Sequence, residues 1–161
     1  MKIPALLLPA ACGAALFAQT QAIQPKGLAP GAGYSHVVVA SPGKLAFIAG
    51  QVANNAQGQL VGRGDLKAQT EQVFENLKLA LAAAGASFEH VVKLTFLVKD
   101  HKPEYLAIIR EVRNRYVNTA APPASTLAGV SALFLPDYLI EVEAVAAVPE
   151  KPTRPTARRI P

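Results

Sequence analysis

Between Lys26 and Val148 the spacing of apolar positions switches repeatedly between a period of two and a period near 3.6, the pattern of alternating strands and helices. Ser35 to Ala40 and Lys44 to Ala49 are short β-rich runs on either side of Ser41-Pro42-Gly43. Proline presets a turn there and glycine accepts positive φ, so the two runs are expected to pair as a hairpin. Gln51 to Gly64 is polar and Gly-rich, which predicts a loop or a short irregular hairpin. Asp65 is placed to cap a helix in which Leu66, Val73, Leu77, Ala80, Leu81 and Ala84 recur at helical spacing, with Gly85 as its stop. Lys67, Gln69, Glu71, Glu75 and Lys78 fall on its expected wet side.

His90 to Val98 is rich in β-branched residues and predicts a strand. Asp100 to Pro103 opens a second helix, with a buried stripe of Tyr105, Ile108, Ile109, Val112 and Tyr116. Its wet side is expected to hold Arg110, Glu111, Arg113, Asn114 and Arg115, and Pro122-Pro123 to end it. Ala124 to Leu133 and Tyr138 to Val148 predict two more strands around a turn at Pro136-Asp137. The order β-β-α-β-α-β-β describes an α+β domain over residues 26–148, a mixed sheet of five or six strands with two helices packed on one face. The other sheet face then needs cover, and strand residues such as Leu127, Val130, Val142 and Val145 are too apolar to leave both faces in water, which predicts oligomerisation through the sheet.

The ends of the chain have a different composition. Ile3 to Ile23 is uncharged and follows Lys2, with small residues near Ala18 and Ala22, the layout of an export leader over residues 1–22. Pro4, Pro9 and the polar Gln19-Thr20-Gln21 interrupt it too often for a spanning helix, so no stable membrane association is expected once the leader is cut after Ala18 or Ala22. Cys12 lies inside this segment, which leaves the mature domain without a thiol. Residues 149–161 read as a disordered, basic, proline-rich tail. The formal net charge of +5 comes largely from these ends. The body carries eleven basic and ten acidic side chains, without the basic stripe and interleaved aromatics of a nucleic-acid groove.

The chemistry-bearing residues are few. His36, His90 and His101 show no metal-ligand spacing, and no nucleophile elbow, phosphate loop or dinucleotide fingerprint occurs, so no metal or other cofactor is implied. Glu141-Val-Glu143 lies in an otherwise apolar strand, where a period of two puts both carboxylates on one face. Such a carboxylate serves either acid–base work in a cleft or a wet surface. Tyr34, just before the first strand, and Gly50, where a ligand can approach backbone N–H groups, are the other candidates.

In combination, Gly33-Tyr34, Phe47-Ile-Ala-Gly-Gln51, the helix Gln69 to Lys78, Ala84-Gly85-Ala86, Phe96-Leu-Val-Lys-Asp100, Pro123-Ala-Ser and Glu141-Val-Glu-Ala-Val-Ala146 resemble the RidA/YjgF (Rid) family, also called endoribonuclease L-PSP-like. The resemblance implies a chorismate-mutase-like (YjgF-like) fold, a homotrimer, and a small-molecule ligand held in a cleft between subunits. It further implies hydrolysis of reactive enamines and imines, such as 2-iminopropanoate, to a 2-oxo acid and ammonia. Glu141 would then hold the attacking water, Tyr34 would line the cleft, and Gly50 would offer its N–H.

The chain departs from the family pattern where the substrate carboxylate is bound. Ser125 replaces the arginine of Pro-Ala-Arg, Ala49 replaces the serine before Gly-Gln, and Ile109 falls where the second helix carries asparagine. Losing the guanidinium forfeits a charge-assisted bond of roughly 1.5–3 kcal/mol. Ser125 and Thr126 would offer hydroxyls in its place, and Arg63 and Arg110 are the available substitutes without a motif to place them. The expectations are an imine deaminase of altered substrate, or a non-catalytic binding trimer of the same fold, in the periplasm or secreted. RNA cleavage is disfavoured by the nearly neutral body.

Overall fold

The computed structural model describes residues 20–24, 26, 33–40 and 43–149. Most of the expected leader and the tail from residue 150 lie outside these. Strands β1 (Thr20–Ile23), β2 (Val37–Ala40) and β3 (Lys44–Gln51) precede helix α1 (Leu66–Ala83), and a short 3-10 turn, Phe88–His90, leads into β4 (Val91–Lys99). Helix α2 (Tyr105–Arg113) and strands β5 (Ala124–Val130) and β6 (Ile140–Val148) complete the order.

The main sheet has the order β3-β6-β4-β5. β6 is antiparallel to both of its neighbours, whereas β4 and β5 are parallel. A parallel pair cannot be closed by a tight turn, and α2 supplies the crossover. The result is a mixed sheet with both helices on one face, as the α+β reading requires.

Period two decides what each sheet face meets. Leu94, Phe96 and Val98 of β4 and Ile140, Val142, Ala144 and Ala146 of β6 turn toward the helices and are buried. They pack against Val73, Phe74, Leu77 and Leu81 of α1 and Ile109 and Val112 of α2. Phe74 anchors an aromatic group with Phe88, Phe96 and Tyr116 at centroid distances of 5.6, 6.3 and 5.0 Å. On the opposite face lie Leu45 and Phe47, 53% and 78% exposed, beside the half-buried Val145.

Helix α1 has the expected ends. The Asp65 carboxylate accepts from the Ala68 N–H at 3.0 Å, and Gly85 takes φ +77°, the left-handed conformation that stops a helix at little cost to glycine. The polar stretch after β3 is the irregular hairpin, with Asn54 bridged to Leu60 and Asn55 Oδ1 accepting from the N–H groups of Gln57 and Gln59.

The structure corrects four sequence expectations. The runs around Ser41-Pro42-Gly43 do not form a hairpin: β3 pairs with β6 along Lys44–Ile48, and β2 pairs with β1. The sheet therefore has four strands, with a separate two-stranded ribbon, rather than five or six strands. Gln69, assigned to water, is fully buried, because it lies between Leu66 and Val73 in the apolar stripe. Its amide donates to the carbonyls of Gly62 (3.1 Å) and Asp137 (2.9 Å) and accepts from the Leu139 N–H (2.8 Å), which satisfies its cost of burial. Arg113, also assigned to water, is only 8% exposed, since it follows Ile109 by one helical turn and shares its side of α2.

Candidate functional site

The sequence-predicted residues fall into two groups. The first forms where β3 meets β6. Register shifts between Ile48 and Gln51, and this irregularity brings Gly50 against the Glu141 side chain. A Cβ at position 50 would fall within bonding range of Glu141 Oε1, 2.6 Å from its Cδ and 2.8 Å from its Cγ. Only glycine leaves room for the carboxylate. The segment beyond Gly50 is held from below: Asn76 of α1 donates to the Val52 and Asn54 carbonyls, both at 2.9 Å, and the Tyr138 hydroxyl donates to Asn54 Oδ1 at 2.7 Å. Glu141 itself is half-buried and sits across from Leu97 of β4, while Glu143 is exposed on the same face. The pair therefore splits into one sheltered and one solvated carboxylate.

The second group forms at the mouth of β5. Ser35 is buried, donates its hydroxyl to the Pro122 carbonyl (2.6 Å) and its N–H to the Pro123 carbonyl (3.3 Å), and bridges Ala124. This ties the entry of β2 to the start of β5 and sets Tyr34 beside Ser125. The two line a cavity of about 160 Å³ together with Ile109, Leu127, Arg110 and Arg113. Sequence reasoning named Arg110 as a possible substitute and missed Arg113. The available signal was spacing, since Arg113 continues the Tyr105-Ile109 line at intervals of four. Burial, then the charge of Arg110, holds the Arg113 guanidinium below its ordinary pKa. Arg63, the other substitute, pairs with Asp137 at the surface and does not line this cavity.

The two groups are not together in one chain. Ser125 pairs with Leu94, which pairs with Ala144, and all three turn toward the helix layer. Glu141 pairs with Leu97 on the opposite face. Thr126 is exposed on the Glu141 face, but its row runs through Thr95 to Glu143, so it joins neither Ser125 nor Glu141 directly. Ile109 lines the Ser125 cavity, whereas Ala49 is exposed on β3. His90 accepts from the Ser87 N–H at 3.0 Å, a capping role. Among the described residues no group of three or more His, Cys, Asp or Glu is placed to hold a metal ion, and no helix is long and apolar enough to cross a membrane.

Residues 24–148 match the family model described as Endoribonuclease L-PSP. The chain is 39% identical over 122 residues to Protein DfrA of Myxococcus xanthus, covering 76% of this chain and 88% of that one. A 2-iminobutanoate/2-iminopropanoate deaminase of Dermatophagoides farinae is 24% identical over 126 residues, covering 78% and 91%. Among solved structures, a Rid family protein from Yersinia pestis is 40% identical with a TM-score of 0.70, covering 80% of this chain and 98% of that one. RidA from an Antarctic Psychrobacter is 32% identical with a TM-score of 0.59, covering 80% and 99%.

Proposed function

This chain belongs to the endoribonuclease L-PSP family, the RidA/YjgF proteins, and from that premise we propose that it hydrolyses a reactive imine to a carbonyl compound and ammonia. The observation that carries the reading is Glu141, a half-buried carboxylate with the Cβ-free backbone of Gly50 against it. An imine carbon is already electrophilic, so a positioned water and one base suffice. Glu141 takes a proton from the attacking water as the C–O bond forms and passes it to the imine nitrogen. It then takes the adduct's hydroxyl proton and passes it to the amine as the carbonyl forms and the C–N bond breaks, releasing ammonia. The carboxylate ends as it began. Gly50 would offer its backbone N–H to the substrate, a role supported by the absence of a Cβ beside Glu141.

The binding half is the Tyr34 and Ser125 cavity, and in this reading an adjacent copy of the chain brings its Glu141 to that cavity. The exposed Leu45 and Phe47 on the Glu141 face support association there, because water-facing aromatic and aliphatic side chains on a flat sheet gain by being covered. A homotrimer with inter-subunit clefts satisfies both requirements. Export to the periplasm or the outside through the leader is part of the same proposal, supported by the composition of residues 1–22. A binding-only trimer is the second reading, favoured by Ile109, an apolar side chain in the cavity where the family pattern has asparagine.

The test is ammonia release from 2-iminopropanoate generated in situ, comparing the native chain with Glu141→Ala. A loss of roughly a hundredfold or more in the variant supports hydrolysis, within the range general-base catalysis supplies. Activity that survives in Glu141→Ala refutes the assigned role. A native chain that binds the 2-oxo acid product without turnover establishes the binding-only reading.

A further inference from the structure

The cavity beside Ser125 lacks the family's β5 arginine, yet two guanidinium groups line it from α2, and no acidic side chain among the described residues lines it with them. Arg113 is the more constrained. It is buried, its Nε and Nη2 donate to Asn114 Oδ1 at 3.1 and 2.7 Å, and among the described residues it has no carboxylate partner. Buried charge is costly unless it is paired, and a neutral amide oxygen compensates it only in part. Gly33 lies against this group: its φ of +81° selects glycine, and a Cβ there would stand 2.9 Å from Arg113 Nη2, so the guanidinium would have to give way. The neighbouring cation adds to the depression of the Arg113 pKa, and an anion between the two would relieve it.

We propose that the carboxylate clamp of this protein has moved from β5 to α2, with Arg113 and Arg110 binding the carboxylate of a small 2-imino or 2-oxo acid in the space that Ser125 leaves open. The proposal rests on the RidA-type reading of the site and names its substrate class. A planar guanidinium fork suits a carboxylate better than any other side chain. A cavity of about 160 Å³ has room for a pyruvate-sized acid. Ser125 contributes a hydroxyl and, by being small, the volume. An arginine at position 125 would bring a third cation into the same space.

The test measures binding rather than turnover. Pyruvate and its uncharged methyl ester are titrated by calorimetry or ligand-observed NMR into the native chain, Arg113→Met, Arg113→Lys, Arg110→Gln, Glu141→Ala and the double variant Arg113→Met/Ser125→Arg. Near-UV circular dichroism checks the fold of each. Pyruvate affinity is expected to fall roughly tenfold to a hundredfold in Arg113→Met, the worth of a charge-assisted bond, and less in Arg110→Gln. Arg113→Lys should recover it only partly, and the double variant should recover it by restoring the fork from β5. Ester binding should not respond to any arginine change. Folded arginine variants that bind pyruvate like the native chain overturn the proposal, as do equal binding of acid and ester or a native chain that does not bind pyruvate. Should Arg113→Met fail to fold, Arg110→Gln and the double variant decide. Imine turnover by the native chain separates the two claims: pyruvate binding with the arginine dependence, but no turnover, refutes hydrolysis and leaves the clamp standing.

Discussion

Gly50→Ala adds one methyl group directly against the Glu141 carboxylate. The added carbon would stand 2.6 Å from Cδ and 2.8 Å from Cγ of Glu141, whereas comfortable carbon–carbon separation is about 3.5–4.0 Å. Cδ must therefore retreat by about 1 Å, and because Cγ is too close as well, the side chain has to change rotamer rather than bend. Gly50 is not among the residues with positive φ, so alanine brings no backbone penalty and the whole effect passes through the carboxylate. Accommodating the methyl group costs about 1–3 kcal/mol at most, since one contact is with the end of a mobile side chain. A 1 Å displacement of a group acting on substrate can cost a hundredfold in rate. The expected result is a folded protein with a small shift in its urea midpoint and a fall of about a hundredfold in kcat for imine hydrolysis. Wild-type kcat in a folded Gly50→Ala protein would refute the claim that glycine is there to seat Glu141.

Gln69→Leu leaves the Leu139 N–H and two carbonyls without their amide partner, and should lower stability by about 2–4 kcal/mol in urea unfolding, at roughly 1 kcal/mol or more per lost bond. A change under 1 kcal/mol would show that water replaces the amide. Tyr116 has its pKa pushed up to about 12, first by burial and then by its hydrogen bond to Glu75. A raised folded-state pKa means that its stabilisation is complete below the unfolded value near 10 and is lost as pH rises toward 12. Absorbance titration at alkaline pH should show a late-ionising tyrosine that disappears in Tyr116→Phe. β1 begins at Thr20, so a leader cut after Ala18 keeps the β1–β2 ribbon whole, whereas a cut after Ala22 removes three of the four residues of β1. Sequencing of exported protein should give Gln19 as the first residue, and Ile23 would contradict this.

Features controlled by neighbours in the chain were legible without coordinates. The Asp65 cap, the Gly85 stop, the apolar stripe of α1 and the common face of Glu141 and Glu143 each follow from a few consecutive residues and a fixed period. The order of strand and helix periods carried the α+β class, and the motifs from Gly33-Tyr34 to Glu141-Val-Glu143 carried the family. Strand partnership did not follow, because hydrogen bonding between strands is decided by which distant segment offers a matching edge. β3 takes β6, almost a hundred residues on, over the nearby β2. Side-chain chemistry also misled where it opposed geometry. Gln69 and Arg113 are polar residues at apolar-stripe spacing, and helix geometry buried them once the amide found its three partners and the guanidinium entered the β5 cavity. The sequence showed that an arginine was missing at position 125. Only the packing of α2 over the sheet showed that two others stand beside its place, because a shift in register of about two residues, roughly 200° around the helix, would have turned them to water.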